Sequence, residues 1–282
     1  MVRIESPSSI NTYIQCPRKY FYSYKLNLPR KESIATITGK AVHDTLEKFY
    51  ILGSIGMNEE NYIVEFQHRL LSTFNQTWTN AVPSLLNLQI NKGYITRYYE
   101  DTMQMLMNFV SSVINKINQN LKEGMSFELA FEQLKPETEI YLSSDKYMVQ
   151  GYIDALHENH GQVCIMDYKT SKKDVISEEY RRQLAIYSLL YSETFGKLPY
   201  TAGLFFLRQG TERVLNVDAA LIEEAKSSCE KVHNSTVSGS IEDYPRKLGP
   251  LCKWATGQCD FYDICYKVGS TKEVDCNEIE VF

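Results

Sequence analysis

The sequence predicts an α/β domain, with helices first and strands after. Three observations carry this. Apolar residues recur at helical spacing through the first part of the chain, the period changes to two from Phe127, and a helical stretch at 178–195 then separates the early strands from later ones. At 282 residues the chain is one large domain or two closely joined ones, and it can bury a sizeable core without disulfides. Hydrophobic residues at 43% and charged residues at 23% exclude a disordered tail, a collagen-like repeat and a coiled coil. No apolar run approaches the roughly 18 residues of a membrane span, and residues 1–10 lack the apolar stretch of a secretory signal. A cytosolic (cytoplasmic) protein with no membrane partner is expected. The net charge of −5 excludes a histone-like coat for nucleic acid, although local fields can oppose the total.

The elements follow in order. Ser8 or Ser9 can cap a helix running towards Tyr24, which Pro29 prevents from continuing. Residues 39–52 carry Val42, Leu46, Phe49 and Tyr50 at helical spacing. A helix over 59–81 is ended by Pro83, and 84–122 reads as a long or broken helix with Gly93 as its point of interruption and Gly124 as its close. These helices form a cap. Residues 127–134, 138–143, 147–157 and 162–169 are rich in β-branched and aromatic residues between turn formers, which predicts a meander of strands. A helix over 178–195, strands over 200–208 and 213–217, and a final helix over 219–237 complete the body. From Ser238 the chain is rich in Gly, Pro and Cys and reads as a loop packed back on the body.

Chemistry concentrates on two predicted strands. Asp154 lies in an otherwise apolar strand, where a buried carboxylate needs a partner, and Asp167 and Lys169 end the next. Two residues apart, Asp167 and Lys169 share a face. An even-numbered loop between the strands sets Asp154 opposite or diagonal to Asp167, within reach of one ion, and an odd loop without a bulge would break this. Two convergent carboxylates suit Mg²⁺ or Mn²⁺. A lysine beside them can orient or deprotonate an attacking water, or neutralise charge at phosphorus, so the set fits metal-assisted phosphodiester hydrolysis.

Gly151-Tyr152-Ile153-Asp154, Asp167-Tyr168-Lys169-Thr170 and Gln183-Leu184-Ala185-Ile186-Tyr187, preceded by Gly39-Lys40-Ala41-Val42-His43, resemble the ordered motifs of RecB-type nucleases in the PD-(D/E)XK superfamily. The resemblance spans residues 8–265. It implies a nuclease core with a mixed central sheet and a single domain over 1–265. Within that domain a helical N-terminal insertion caps it over 55–124 and core strands and helices occupy 125–237; a cysteine-bearing C-terminal tail is set apart over 238–282. It also implies a metal-dependent deoxyribonuclease, foremost an exonuclease on single-stranded DNA ends. A structure-specific endonuclease and a catalytically silent DNA-binding scaffold are the alternatives. His43 and the backbone carbonyl of Tyr168 join Asp154 and Asp167 as implied metal ligands, while Gln183 and Tyr187, four apart on one helix face, face the active site in support of Lys169. Glu139 is a weaker candidate for an outlying carboxylate. No nucleotide-binding helicase motif is present, so unwinding falls to a partner, either a helicase or a CRISPR-adaptation protein. DNA repair, viral replication and CRISPR adaptation are all open as pathways.

Seven cysteines in a cytosolic chain point to metal ligation, reactivity or plain burial before disulfides. Cys16, Cys252, Cys259 and Cys265 resemble the layout of the [4Fe–4S] staple of AddB-like and CRISPR-associated nucleases, with zinc or unligated thiols as alternatives. Such nucleases commonly have Cys-x-x-Cys before the last Cys-x₅-Cys, whereas Ala255 stands at that offset here and the next cysteine is Cys259. Either an insertion keeps all four ligands or the cluster has been lost. Cys164 and Cys229 read as buried fillers, and Cys276 has no partner. Arg18 and Lys19, in a basic stretch interleaved with tyrosines, and Arg181 with Arg182 are candidates for nucleic-acid contacts, with core tyrosines and solvated charges as the plainer reading.

Overall fold

The structure, a computed structural model, describes residues 3–51, 53–254 and 257–267. Helix α1 (Pro7–Gln15) is capped by Ser6, earlier than expected. Ser6 Oγ accepts from Ser9 N–H, and Ser9 Oγ accepts from Ser6 N–H at 2.7 Å, a reciprocal box ahead of a proline that has no N–H to satisfy. The expected single helix to Tyr24 is broken at Cys16, whose φ of −161° is extended because Pro17 disfavours a helical residue before it. A short α2 (Pro17–Tyr20) and a π-helical turn (Phe21–Lys25) follow.

Three helices build the cap: α3 (Ile34–Ile51), α4 (Tyr62–Asn87) and α5 (Lys92–Lys122). Pro83 lies inside α4 and does not end it. Its missing N–H removes one bond near the helix end, and Leu85 beyond it is fully buried, so packing keeps the last turn in place. The break falls after Leu88, where Gln89 takes a left-handed φ of 56° and Asn91 caps α5 by accepting from Gly93 N–H. Gly93 therefore sits in a first turn and interrupts nothing. Gly124, with φ of 90°, follows α5 as expected.

Residues 127–134, expected as a strand, form α6 (Phe127–Leu134). Ser126 caps it, and Phe127, Ala130 and Phe131 are buried at helical spacing against the cap, so the true period prevails over aromatic content. Then come β1 (Glu137–Ser144), β2 (Val149–Asn159), β3 (Gln162–Lys169), α7 (Glu178–Phe195), β4 (Thr201–Phe206), β5 (Thr211–Asn216) and α8 (Ala219–Ser235), close to the expected spans. They form one sheet in the order β1-β2-β3-β4-β5, with β3 and β4 parallel and the other neighbours antiparallel. The parallel pair is where α7 crosses over, as such pairs require. The mixed sheet of an α/β fold is thus present. In the tail a hairpin of β6 (Lys253–Trp254) and β7 (Gly257–Gln258) leads to α9 (Tyr262–Lys267). Tyr244 and Phe261 from this tail join Tyr20, Phe21 and Tyr22 in a buried aromatic cluster.

Two cores sandwich the sheet. On one face Met166, Tyr168 and Phe205 pack beneath α3, α4, α5 and α6; on the other Ile165, Leu204 and Phe206 pack against α7 and α8. Gly203 lies in the centre of β4, where a Cβ would stand 2.9 Å from the backbone oxygen of Arg213 and 3.1 Å from Val214 Cγ2. A methyl there must push β5 away. Gly203→Ala should therefore lower stability by about 1–3 kcal/mol, read as a fall in the denaturation midpoint.

Candidate active site

The site lies where β2 parts from β3. A two-residue turn, His160 and Gly161, both with positive φ, joins the strands between Asn159 and Gln162, so the loop is even and places Asp154 across from Asp167. Backbone pairing stops one rung earlier, at Ala155 with Met166. In its place Asp154 Oδ2 accepts the Tyr168 N–H at 2.9 Å. A side chain has replaced a ladder bond, and the strands diverge beyond it. The same rung bends the sheet. Ile153 is buried on the α7 face and Ala155 on the cap face, although strict alternation would put both on one side. Glu139, opposite Asp154 between the pairs Thr138 with Ala155 and Ile140 with Ile153, takes a φ of 51°. For a residue with a Cβ that conformation costs on the order of 1 kcal/mol, which locates strain at the site.

Side chains converge on the gap. His43, from α3, places Nδ1 at 3.3 Å from Asp154 Oδ2, and the Tyr168 carbonyl faces the same imidazole. His43, Glu139 and Asp154 each present a ligand atom within 4.8 Å of the others. Glu139, a weaker candidate from sequence, thus stands with His43 and Asp154 in one candidate donor group. The pairing of β1 across from Asp154 is the signal that identifies it, and that pairing depends on the length of the turn after Ser144.

Asp167, buried to 2% exposure, accepts from Gln183 Nε2 at 2.8 Å through Oδ1. Lys169 Nζ lies 2.6 Å from its Oδ2, which otherwise has no hydrogen-bond partner. Lys169 also donates to Gln183 Oε1 at 2.9 Å, and Gln183 Nε2 reaches Tyr187 Oη at 3.0 Å. Gly151 makes room for that tyrosine, since a Cβ there would stand 3.0 Å from Tyr187 Cε1. The expected residues Asp154, Asp167, Lys169, Gln183, Tyr187 and His43 are thus assembled at one place.

Electrostatics follow from burial. Desolvation and then the Asp167 charge push the Asp154 carboxyl well above its ordinary range, against relief from the Tyr168 amide and Lys169. Burial likewise pulls the His43 imidazole down. For Lys169 burial opposes the charged form, but Asp167 and Asp154 outweigh it and the ammonium is held above its usual value. Crowded, buried carboxylates beside an imidazole pushed towards its neutral form are the surroundings in which a divalent cation supplies further positive charge. The donor set fits Mg²⁺ or Mn²⁺. A cavity of about 570 Å³ opens beside it, between α3, α5 and the ends of β3 and β4, with His43, Tyr98, Asp101, Lys169, Tyr180 and Arg208 in its walls.

The candidate nucleic-acid residues are engaged internally. Arg18 Nε donates to the Tyr244 carbonyl, Lys19 to Gln15, Arg182 to Asn11, and Arg181 spans both oxygens of Glu224. Cys16, Cys252, Cys259 and Cys265 line a single small cavity with Arg18, Lys19 and Tyr22. The departure at Ala255, itself outside the described residues, has a structural counterpart. Between the two cysteines β6 and β7 pair, and Cys259 N–H donates to the Cys252 carbonyl at 3.0 Å, so Cys252 and Cys259 flank the paired strands. Cys229 is buried and Cys164 half-buried; Cys276 lies outside the described residues.

A mixed sheet with carboxylates where two strands part, and a lysine two residues along, defines a nuclease core. The family model of the PD-(D/E)XK nuclease superfamily matches residues 5–266, and the chain belongs to that superfamily. It is 25% identical over 158 residues to an ATP-dependent helicase/nuclease protein of Listeria welshimeri, covering 49% of this chain and 13% of that protein. With an ATP-dependent helicase/deoxyribonuclease protein of Carboxydothermus hydrogenoformans it shares 26% identity over 222 residues, 72% of this chain and 20% of that one. Each of these relatives is named as one component of a larger enzyme, and the chain matches only a minor part of their length. A solved structure from Eubacterium rectale, described as a candidate exonuclease, aligns with a TM-score of 0.51 over 97% of this chain and 91% of that chain at 11% identity, a likeness of fold. Among the described residues no helix is long and apolar enough to cross a membrane.

Mn²⁺ titration by calorimetry checks the donor set. Asp154→Asn should weaken binding at least about tenfold, and Glu139→Gln should weaken it measurably. Because Asp154 is held above its ordinary pKa and must lose its proton to ligate, affinity should be full at high pH and fall as pH drops through that raised value.

Proposed function

We propose that the chain is a metal-dependent DNA exonuclease acting on single-stranded ends. The observation that carries this is the opening between β2 and β3, with His43, Glu139 and Asp154 on one side and the Asp167–Lys169 pair on the other. A divalent ion bound there supplies Lewis-acid polarisation of a phosphodiester and of water. His43, Asp154, Asp167 and the Tyr168 carbonyl, with Glu139, are the groups that would hold it. Lys169, kept charged by Asp167, neutralises developing negative charge at phosphorus and orients the attacking water. Gln183 fixes the Lys169 ammonium and the Asp167 carboxylate at once, and Tyr187 holds Gln183, so these two position the reacting groups.

End-labelled single-stranded DNA should be degraded with Mg²⁺ or Mn²⁺ and spared in EDTA. Asp154→Ala and Asp167→Ala should abolish cleavage with the fold intact by circular dichroism. Lys169→Ala should cut turnover strongly while Mn²⁺ still binds. Cutting of circular single-stranded DNA would favour the endonuclease reading, and DNA binding without cleavage would favour a scaffold. The relatives named above are components of helicase–nucleases, which favours a helicase as the partner over a CRISPR-adaptation protein.

The cysteine cavity supports a second part of the reading, a [4Fe–4S] cluster held by Cys16, Cys252, Cys259 and Cys265. Among the described residues no three of these sulfurs lie within 4.8 Å of one another. Zinc held by the same four thiols is the alternative, and metal analysis of the purified protein separates the two. Tyr22 Oη, buried without a hydrogen-bond partner, lines the same cavity as an available donor. Arg18 and Lys19 supply positive charge beside four thiolates. Protein purified without oxygen should be brown, with absorption near ~400 nm, and Cys259→Ala should bleach it and lower thermal stability. Colourless protein lacking iron would refute the assignment.

A further inference from the structure

Arg208 follows β4 at the wall of the cavity beside Lys169. Its backbone is fixed twice. Leu207 N–H donates to the Lys169 carbonyl at 2.9 Å, and Asn108 Nδ2, from α5, donates to the carbonyls of both Leu207 and Arg208 at 3.0 Å. Its side chain is not satisfied in the same way. Nε is buried with no hydrogen-bond partner, and the one carboxylate paired with the guanidinium, Asp101, stands 3.9 Å from Nη1. A buried guanidinium donor without an acceptor costs free energy unless a ligand completes it.

The position selects the acceptor. Arg208, two residues beyond β4, and Lys169, at the end of the parallel neighbour β3, open into one cavity, whose wall also carries the rings of Tyr98 and Tyr180. Lys169 sits at the metal site, so a ligand reaching from there to Arg208 must present a second anionic group with planar-accessible oxygens. A nucleic-acid strand does this with the phosphate next to the scissile one, and arginine matches phosphate through paired N–H donors.

We propose that Arg208 grips the phosphate flanking the scissile bond of a single strand lying in the cavity, displacing its loose contact with Asp101, and so sets which bond meets the metal. The proposal rests on the nuclease reading above. It makes Arg208 a substrate-positioning residue and Asp101 its resting counter-charge.

The test measures binding apart from cleavage. Fluorescence anisotropy of a single-stranded oligodeoxynucleotide is read in EDTA for wild type, Arg208→Ala, Arg208→Lys and Asp101→Asn. The same set is then read on oligonucleotides carrying one neutral methylphosphonate, moved stepwise from the end. Arg208→Ala should weaken binding of the all-phosphate strand about 10- to 100-fold, and the salt dependence should lose about one phosphate's worth of slope. Arg208→Lys should recover part of the loss, and Asp101→Asn should tighten binding. At one methylphosphonate position, and at no other, wild type should lose affinity while Arg208→Ala loses nothing further. That position should be one nucleotide from the cut when Mg²⁺ is added.

Equal losses for wild type and Arg208→Ala at every methylphosphonate position would overturn the proposal, as would unchanged binding by Arg208→Ala. If Arg208→Ala fails to fold, Arg208→Lys and Asp101→Asn carry the same comparison. If wild type binds with the predicted methylphosphonate pattern yet cleaves nothing with any divalent ion, the nuclease reading fails and the scissile-bond register with it, while Arg208 stands as the contact to one phosphate of the strand. If cleavage occurs and the pattern is absent, the reverse holds.

Discussion

The hydrogen bond from the Tyr168 amide to the Asp154 carboxylate is the constraint on which the site depends. It takes the place of a backbone ladder bond, so β2 and β3 stay joined at the very rung where they begin to separate. A backbone acceptor would continue the sheet and close the gap. A carboxylate keeps a second oxygen and its charge for other partners. Burial makes this costly, and the raised proton affinity of Asp154 records the cost. The surrounding groups follow from it: His43 approaches the carboxylate from the cap, Glu139 from the outer strand, and Asp167 sits opposite with Lys169 to balance it.

Much of this arrangement is legible in the sequence, for a local reason. Asp167 and Lys169 share a face because they are two apart on a strand, and a two-residue turn makes Asp154 face Asp167 by parity alone. Gln183 and Tyr187 share a face by helical spacing. Glu139 is harder to weigh, because its place depends on another hairpin's loop and on a left-handed residue that no propensity predicts. Helix α6 reads as a strand since phenylalanine favours strands on average, while the spacing of Phe127 from Ala130 and Phe131 is helical. Pro83 reads as a terminator where buried neighbours decide otherwise. Arg181 and Arg182 show the remaining limit. Charge is visible in sequence, but Glu224 and Asn11, which occupy those side chains, come from distant elements.

The two faces of the sheet divide the work. The cap face supplies His43 from α3 and the cavity wall from α5, whereas the other face supplies Gln183 and Tyr187 from α7. At the opening between β2 and β3 groups from both faces meet. The hydrophobic cores on either side hold these two sets in place independently, so the site is a junction of two packed layers.

Helix α7 carries a further consequence. One end of its exposed flank is bolted to α8 through Arg181 and Glu224 and to α1 through Arg182 and Asn11, while its inner flank holds Lys169 through Gln183. Helix α1 ends at Cys16, the residue that faces the cysteine cavity. The cysteine cavity and the carboxylate site are therefore joined through two packed helices, α1 and α7. Arg182, bound to α1, and Gln183, bound to Lys169, are adjacent in sequence, so both attachments of α7 fall within a single turn of that helix.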